Sequence, residues 1–231
     1  KIKVLKKISY TFNRGKVYSL VGPSGSGKST LLNILSLIEK PSLGSLKIDN
    51  KDINSNNSSN NDKIRAKKIG IIYQQNNLLP DFTALENVYL ARLSIDDNKN
   101  KAVDNAKNII KKMGLINRIN HYPSELSVGE MQRVAIARAI ADQPAYLLLD
   151  EPFGHLDANL RQRLSSYLMD LRDTEDTGIV LVSHEGQDVL GLCDHICILQ
   201  NGKISKKYLP ETLYYRYSAP EKARLFGPLN T

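Results

Sequence analysis

The sequence predicts an α/β fold: a parallel sheet with an antiparallel β edge and an inserted helical subdomain. Three observations carry that prediction. Residues Gly22-Pro23-Ser24-Gly25-Ser26-Gly27-Lys28-Ser29-Thr30 form a complete phosphate-binding pattern between an apolar β-rich run and a helical one. A second apolar run, Leu147-Leu148-Leu149, ends in Asp150-Glu151-Pro152. Between the two lie three segments of helical periodicity.

Taken in order, Val17, Tyr18, Leu20 and Val21 supply the first buried strand, and Leu31, Leu32, Ile34, Leu35 and Ile38 recur at helical spacing after the loop. Leu46 and Ile48 alternate in a short strand, with Asn50-Lys51 expected as its turn. From Asn54 to Asn61 the chain is almost only Asn and Ser, which reads as a solvated loop. Ile69, Ile71, Ile72 and Tyr73 form a strand that delivers Gln74. Leu85, Val88, Tyr89 and Leu93 then share one helical face. Ala102, Val103, Ala106, Ile109, Ile110 and Met113 share another, closed by Gly114. A third helix spans about 130–142 and stops before Pro144. After the strand at 146–149 come a helix carrying Leu160, Leu164, Leu168 and Leu171, a strand at 179–182, and a strand at 196–199 followed by the hairpin signal Asn201-Gly202. The expected organisation is one domain over 1–231, with a RecA-like core (1–80 and 143–207), a helical subdomain (81–142) and a tail (208–231).

The chain has 231 residues, 41% of them hydrophobic, which suits a globular domain and argues against disorder. No apolar run approaches the roughly 18 residues of a membrane span. The basic start lacks the apolar stretch of a signal peptide. It also lacks a starting Met and alternates like a strand, so more chain is expected upstream, and the protein is expected on the cytosolic side. The net charge is +8, but Lys and Arg are scattered in blocks no longer than pairs such as Lys6-Lys7, so no nucleic-acid partner is expected. Cys193 and Cys197 flank His195 in an alternating apolar run, which reads as a buried strand without metal or disulfide.

The chemistry starts at the phosphate pattern. Its glycines let backbone N–H groups and a helix N-terminus face phosphates. Lys28 would reach the β/γ-phosphates of a nucleoside triphosphate, and the Ser29 hydroxyl would ligate Mg²⁺. Asp150, at a strand's C-terminal end, is placed to hold the same Mg²⁺, and Glu151 to accept a proton from the attacking water. Ser127-Val128-Gly129-Glu130 has the Ser-x-x-Glu form of a capping box, and a Ser hydroxyl with a Gly N–H at a helix start also suits an anion.

Here the chain resembles a family. Leu126-Ser127-Val128-Gly129-Glu130-Met131-Gln132-Arg133 resembles the signature sequence of ATP-binding-cassette (ABC) ATPases, a branch of the P-loop NTPases. Gln74 resembles the family's Q-loop glutamine, Gly154-His155-Leu156-Asp157 its D-loop, and Ser183-His184 its switch histidine. The resemblance covers Val4 to about Lys206. It implies a head-to-tail homodimer around two ATP molecules, with Ser127 and Gly129 touching the γ-phosphate held by the partner chain. It further implies that Asp157 borders the nucleotide, that Gln74 senses Mg²⁺ and the transporter, and that His184 holds the γ-phosphate and water. Three departures stand out. Val128 replaces a glycine and Glu130 a common glutamine. The adenine-stacking aromatic falls before Lys1; Tyr10 and Phe12 sit too close to Gly22, and their alternation suggests the core and surface of a strand.

Leu78-Leu79-Pro80-Asp81-Phe82-Thr83-Ala84-Leu85-Glu86-Asn87-Val88 is similar to the ATPase subunits of bacterial lipoprotein-releasing (Lol-type) transporters, as are Tyr122-Pro123-Ser124-Glu125-Leu126 and the Gly-x-Leu-Asp form of the D-loop. That resemblance implies an integral membrane permease as partner and a peripheral place on the cytoplasmic face of the inner membrane. Macrolide-exporter and cell-division ATPases share most of these residues and stay open as alternatives. A DNA-maintenance ATPase would need long coiled coils between Lys28 and Ser127, where no sustained heptads occur. A P-loop kinase would have no use for the signature. Tyr208, Tyr214, Tyr215 and Tyr217 either dock on the core or meet a partner.

Overall fold

The computed structural model describes residues 4–53, 58–93, 98–154, 156–183 and 186–212. Its sheet is built from β4 (Ile69–Ile72), β5 (Tyr146–Asp150), β6 (Gly178–Val182), β1 (Val17–Val21), β7 (His195–Gln200) and β8 (Lys203–Tyr208), in that spatial order. The first five run parallel, and β8 pairs antiparallel with β7. Asn201 (φ 53) and Gly202 (φ 76) make the tight turn between β7 and β8, as their sequence predicts.

Strand alternation splits the core. Val17, Leu147, Leu149, Ile179 and Leu181 face one side, where they meet α3 (Ala84–Leu93), α4 (Lys99–Lys112), α5 (Val128–Ile140) and α6 (Ala158–Glu175). Tyr18, Leu20, Leu148, Val180 and Val182 face the other, against Leu31 and Leu32 of α1 (Lys28–Leu35). Because both faces are covered, β1 and β6 are buried at every position, and both are apolar for most of their length, with Ser19 the polar exception in β1. Helix α7 (Gly186–Leu192) links β6 to β7, and Cys193 and Cys197 are buried without a disulfide between them.

Register places the functional ends level with one another. Leu20 pairs with Val182, and Val182 with Asp150, so β1, β6 and β5 end along one edge. Ile72 pairs with Leu149, which brings Gln74, two residues on, to the level of Glu151.

Three local expectations are corrected. Residues 58–61 are not loop but the start of α2 (Ser58–Lys68); 54–57 lie outside the described residues. Ser and Asn favour helices poorly, but tertiary contact overrides propensity here. Asn61 is buried, Arg65 donates to the Leu37 carbonyl at 3.3 Å, and Arg65, Lys67 and Lys68 suit the negative end of the helix dipole. The first hairpin, β2 (Lys47–Ile48) with β3 (Lys51–Asp52), turns at Asp49 (φ 50) and Asn50 (φ 61), one residue earlier than Asn50-Lys51. The Asp49 carboxylate is held there by Lys68 and by the Tyr146 hydroxyl at 2.8 Å. Finally, Tyr10 and Phe12 lie in no regular strand and share one side, packed on Tyr18 with ring centroids 6.3 and 5.2 Å from it. Positions two apart in extended chain point the same way.

Candidate functional site

The phosphate loop leaves the sheet from its middle, since β1 is buried throughout and flanked by β6 and β7. Gly22 must be glycine: a Cβ there would lie 2.1 Å from the Leu199 carbonyl of β7. Gly27, at φ 103, turns the chain into α1. No side chain caps that helix and its first turn holds no acidic residue, so its N-terminus is left to an anion. Lys28 is only 8% exposed, its ammonium donating to the carbonyls of Gly22 (2.7 Å) and Pro23 (3.1 Å). Burial pushes its pKa below the ordinary lysine value, while Glu151 and Asp150 pull it back up. The Ser26 hydroxyl is buried and finds no partner among the described residues. Pro23, Ser24 and Gly25 are exposed, and Thr30 is half-buried. A cation and an orphaned hydroxyl inside a bare helix N-terminus fit a phosphate chain.

Beside the loop, Ser29 Oγ donates to Asp150 Oδ2 at 3.1 Å. Both are hard oxygen donors, which suits Mg²⁺: that ion takes one or two carboxylates and completes its shell with waters and substrate phosphates. Among the described residues no group of three His, Cys, Asp or Glu could hold a metal ion. Glu151 follows at φ 54, a left-handed conformation unusual for a residue with a side chain, and its N–H donates to the Val182 carbonyl at 3.0 Å. Gln74 is exposed beyond the end of β4. His184 lies outside the described residues; its neighbour Ser183 is buried just past β6.

The remaining predicted residues lie at other helix starts. Ser127 caps α5: its Oγ accepts the Glu130 N–H at 3.3 Å, and Glu130 Oε2 accepts the Ser127 N–H at 2.8 Å. Arg118 donates to the other Glu130 oxygen at 3.0 Å. The Ser127 N–H first, and then Arg118, hold the Glu130 carboxyl down to about 2. Val128 is 50% exposed and Gly129 half-buried. None of the hydrogen bonds described for 127–130 reaches the phosphate loop. Asp157 caps α6, accepting the Leu160 N–H at 2.9 Å. Lys28, Ser29, Asp150 and Glu151 are therefore brought together, whereas Ser127, Gly129 and Asp157 belong to separate helix ends.

Sequence reasoning missed the side chains that hold these loops. Asn87 is 1% exposed; its Oδ1 accepts the Leu79 N–H, and its Nδ2 donates to the carbonyls of Leu79, Phe82 and Thr83. The available signal was an amide on an otherwise apolar helix face.

A match to the ABC transporter family covers residues 5–154. The chain belongs to that family. This cassette is 40% identical, over 88% of its length and 92% of the relative's, to the lipoprotein-releasing system ATP-binding protein LolD of Cytophaga hutchinsonii. It is 38% identical to the LolD of Bacteroides thetaiotaomicron, over 89% of this chain and 94% of that one. Among solved structures, the ATP-binding cassette MJ0796, a dimer in a post-hydrolysis state bound to ADP and Pi, superposes with a TM-score of 0.85 at 34% identity over 90% of each chain. The chain is thus an ABC ATPase of the lipoprotein-releasing type.

Proposed function

We propose that this cassette binds and hydrolyses ATP as a head-to-tail homodimer, driving release of lipoproteins from the inner membrane through a partner permease. The observation that carries the reading is the corner where the Ser29 hydroxyl meets Asp150 at 3.1 Å beside the buried Lys28. Residues 22–30 wrap the phosphates of ATP, and Lys28 exchanges its two carbonyl partners for β/γ-oxygens. Ser29 and Asp150, with Gln74 nearby, would hold Mg²⁺, which when bound offsets negative charge on the transferring phosphoryl group. Glu151 accepts the proton of the attacking water, a role worth about 10²–10⁴-fold in rate. His184 orients that water and the γ-phosphate. Ser127 and Gly129 contact the γ-phosphate held by the other protomer, and Asp157 lines the same interface.

The dimer is supported by the solved cassette relatives, which are dimeric. Among the described residues no helix is long and apolar enough to cross a membrane. In this reading the cassette sits peripherally on the inner membrane, held by the permease. Leu79 and Phe82, 44% and 38% exposed on the loop that Asn87 staples, offer the apolar contact for that permease. Residues 81–142 act as the helical subdomain, which carries Phe82, while Leu79 stands at the end of the core segment beside it. The test is reconstitution with a permease bearing a large periplasmic domain, reading ATP-dependent lipoprotein release. Hydrolysis without release in such a complex would remove the cargo and leave the ATPase.

A further inference from the structure

Helices α4, α5 and α6 enclose a cleft of about 660 Å³. That volume lies in the range of small-molecule sites, roughly 300–1,000 Å³. Two hydrogen bonds fix how its walls run. Asn105 of α4 donates from Nδ2 to the Ala141 carbonyl, at the end of α5, at 2.6 Å. Gln143 donates from Nε2 to Glu175, at the end of α6, at 3.4 Å. At the other end of the cleft, a Cβ on Gly114, just past α4, would lie 4.0 Å from the Arg163 guanidinium. So α5 and α6 run the same way, and α4 runs against them. Between them Ile109, Ile136, Ile140, Leu164 and Leu171 supply a buried apolar floor.

The rim of the cleft is charged differently at its two ends. Asp170 and Glu175 border the end where α5 and α6 finish. Arg133 and Arg163 border the opposite end, and Lys112 stands beside them with its ammonium over the Tyr167 ring, 5.7 Å from the centroid. Arg133 differs from the other polar side chains of its helix. Gln132 donates from Nε2 to the Pro152 carbonyl at 3.2 Å, and Arg138 from Nη1 and Nη2 to the carbonyls of Asn77 and Asn76 at 2.8 and 3.0 Å. Arg133 Nε is shut away from solvent and meets no acceptor among the described residues. A guanidinium keeps its protons at any ordinary pH, so that buried donor costs free energy until an acceptor reaches it.

We propose that this cleft binds a single-chain amphiphile bearing one carboxylate, with the head at Arg133 and Arg163 and the alkyl chain along the floor. A guanidinium fork matches a carboxylate, and an anion there gives Arg133 Nε its acceptor. The apolar floor takes the chain out of water. Arg163 and Asp170 are seven residues apart, about 10 Å of helix, so the chain lies between a cationic and an acidic end. Asp170 and Glu175 repel a second negative charge, which favours a monoanion over a phosphate monoester carrying nearly two. The cleft is lined by none of residues 22–30, by neither Asp150 nor Glu151, and by none of residues 74–88. It is therefore separate from the nucleotide corner and from the apolar contact assigned to the permease, and it stands or falls apart from them.

The test is calorimetry on the full chain with decanoate below its micelle concentration, beside hexanoate, decylammonium, decanedioate and decyl phosphate. Decanoate should bind saturably, one per chain. Hexanoate should bind at least about tenfold more weakly, for want of buried methylenes. Decylammonium and decanedioate should also lose at least about tenfold, the first at the arginines and the second at Asp170 and Glu175. Arg133→Met and Arg163→Met should each weaken decanoate about tenfold. Methyl-labelled methionine gives the location: decanoate should shift the signal of Met113, which borders the cleft, more than those of Met131 and Met169, which do not. Absence of saturable decanoate binding overturns the inference. So does equal affinity for decylammonium, an unmoved Met113 signal, or wild-type affinity in a folded Arg133→Met or Arg163→Met. Tighter binding of decyl phosphate than of decanoate overturns the carboxylate assignment. If Arg133→Met does not fold, Arg163→Met, at an exposed position, decides.

Discussion

The start of α1 and the start of α5 are both helix N-termini built around serine and glycine, yet they are finished differently. At α1 no side chain fills the cap, Lys28 is buried at the mouth, and Asp150 reaches across from another strand to Ser29. At α5 a reciprocal capping box closes the end, Arg118 neutralises Glu130, and Val128 faces solvent. The first site assembles its charges from strands distant in sequence and leaves the donors open. The second satisfies itself locally and presents a formed surface outward. In the proposed function a phosphate chain is gripped by the first, while the second only adds contacts to a phosphate delivered from outside. On that proposal one chain carries two dissimilar halves of a nucleotide site, and four substitutions separate them.

The largest effect is expected from Glu151→Gln. An amide cannot take the water's proton, so turnover should fall about 10²–10⁴-fold with ATP still bound. Gel filtration with ATP should then show dimers, and a monomer-only profile or near-wild-type turnover would remove Glu151 from the role of base.

Lys28→Ala attacks the gripping half. A charge pair at close range is worth about 4 kcal/mol at an effective dielectric near 20, so Kd for ATP should rise on the order of 10²–10³-fold. An unchanged Kd by calorimetry would contradict the role of the buried lysine.

Ser127→Arg attacks the presenting half. Hydrolysis should be lost while monomer binding changes by less than about threefold, because a bulky cation blocks closure but not the phosphate loop. Mixed with Lys28→Ala in permease complexes, it should regain one whole site per heterodimer, read as ATPase or as tight ATP occlusion. Verified heterodimers showing neither would break the trans arrangement.

The smallest effect concerns Glu130→Gln, which keeps an acceptor for the capping box but loses the ion pair with Arg118. Near neutral pH the cost should be below about 1 kcal/mol, as for exposed pairs. The pH dependence is more telling. The Glu130 pKa is about 2 in the folded chain against an ordinary 4.5, so its stabilisation is complete above 4.5 and fades as pH falls towards 2. Melting curves of wild type and variant should converge across that window. A constant gap from pH 6 to pH 2.5 would contradict the assignment.

Much of this was legible without coordinates, for identifiable reasons. The phosphate loop, the acid-ended strand and the Asn201-Gly202 turn are short-range patterns whose residue types are dictated by backbone conformation or by ligand chemistry. Residues 58–61 misled because their composition is that of a loop, and burial of Asn61 with the Arg65 bond to Leu37 made them helix. Asn87, Gln132 and Arg138 offer no readable holding role in the sequence, because a polar residue in a helical run signals nothing until the carbonyls it meets are known.

By itself, then, the sequence determined the order of the sheet strands and of most helices and the position of the phosphate loop, and it marked the residues proposed to do chemistry, all of which depend on neighbours a few positions away. Only the tertiary structure decided that β6 runs between β1 and β5, that Ser29 meets Asp150 across 121 positions, and that Arg138 ties α5 to a loop 61 and 62 positions earlier. Those contacts follow from strand pairing and close packing, which bring together groups that no local pattern relates.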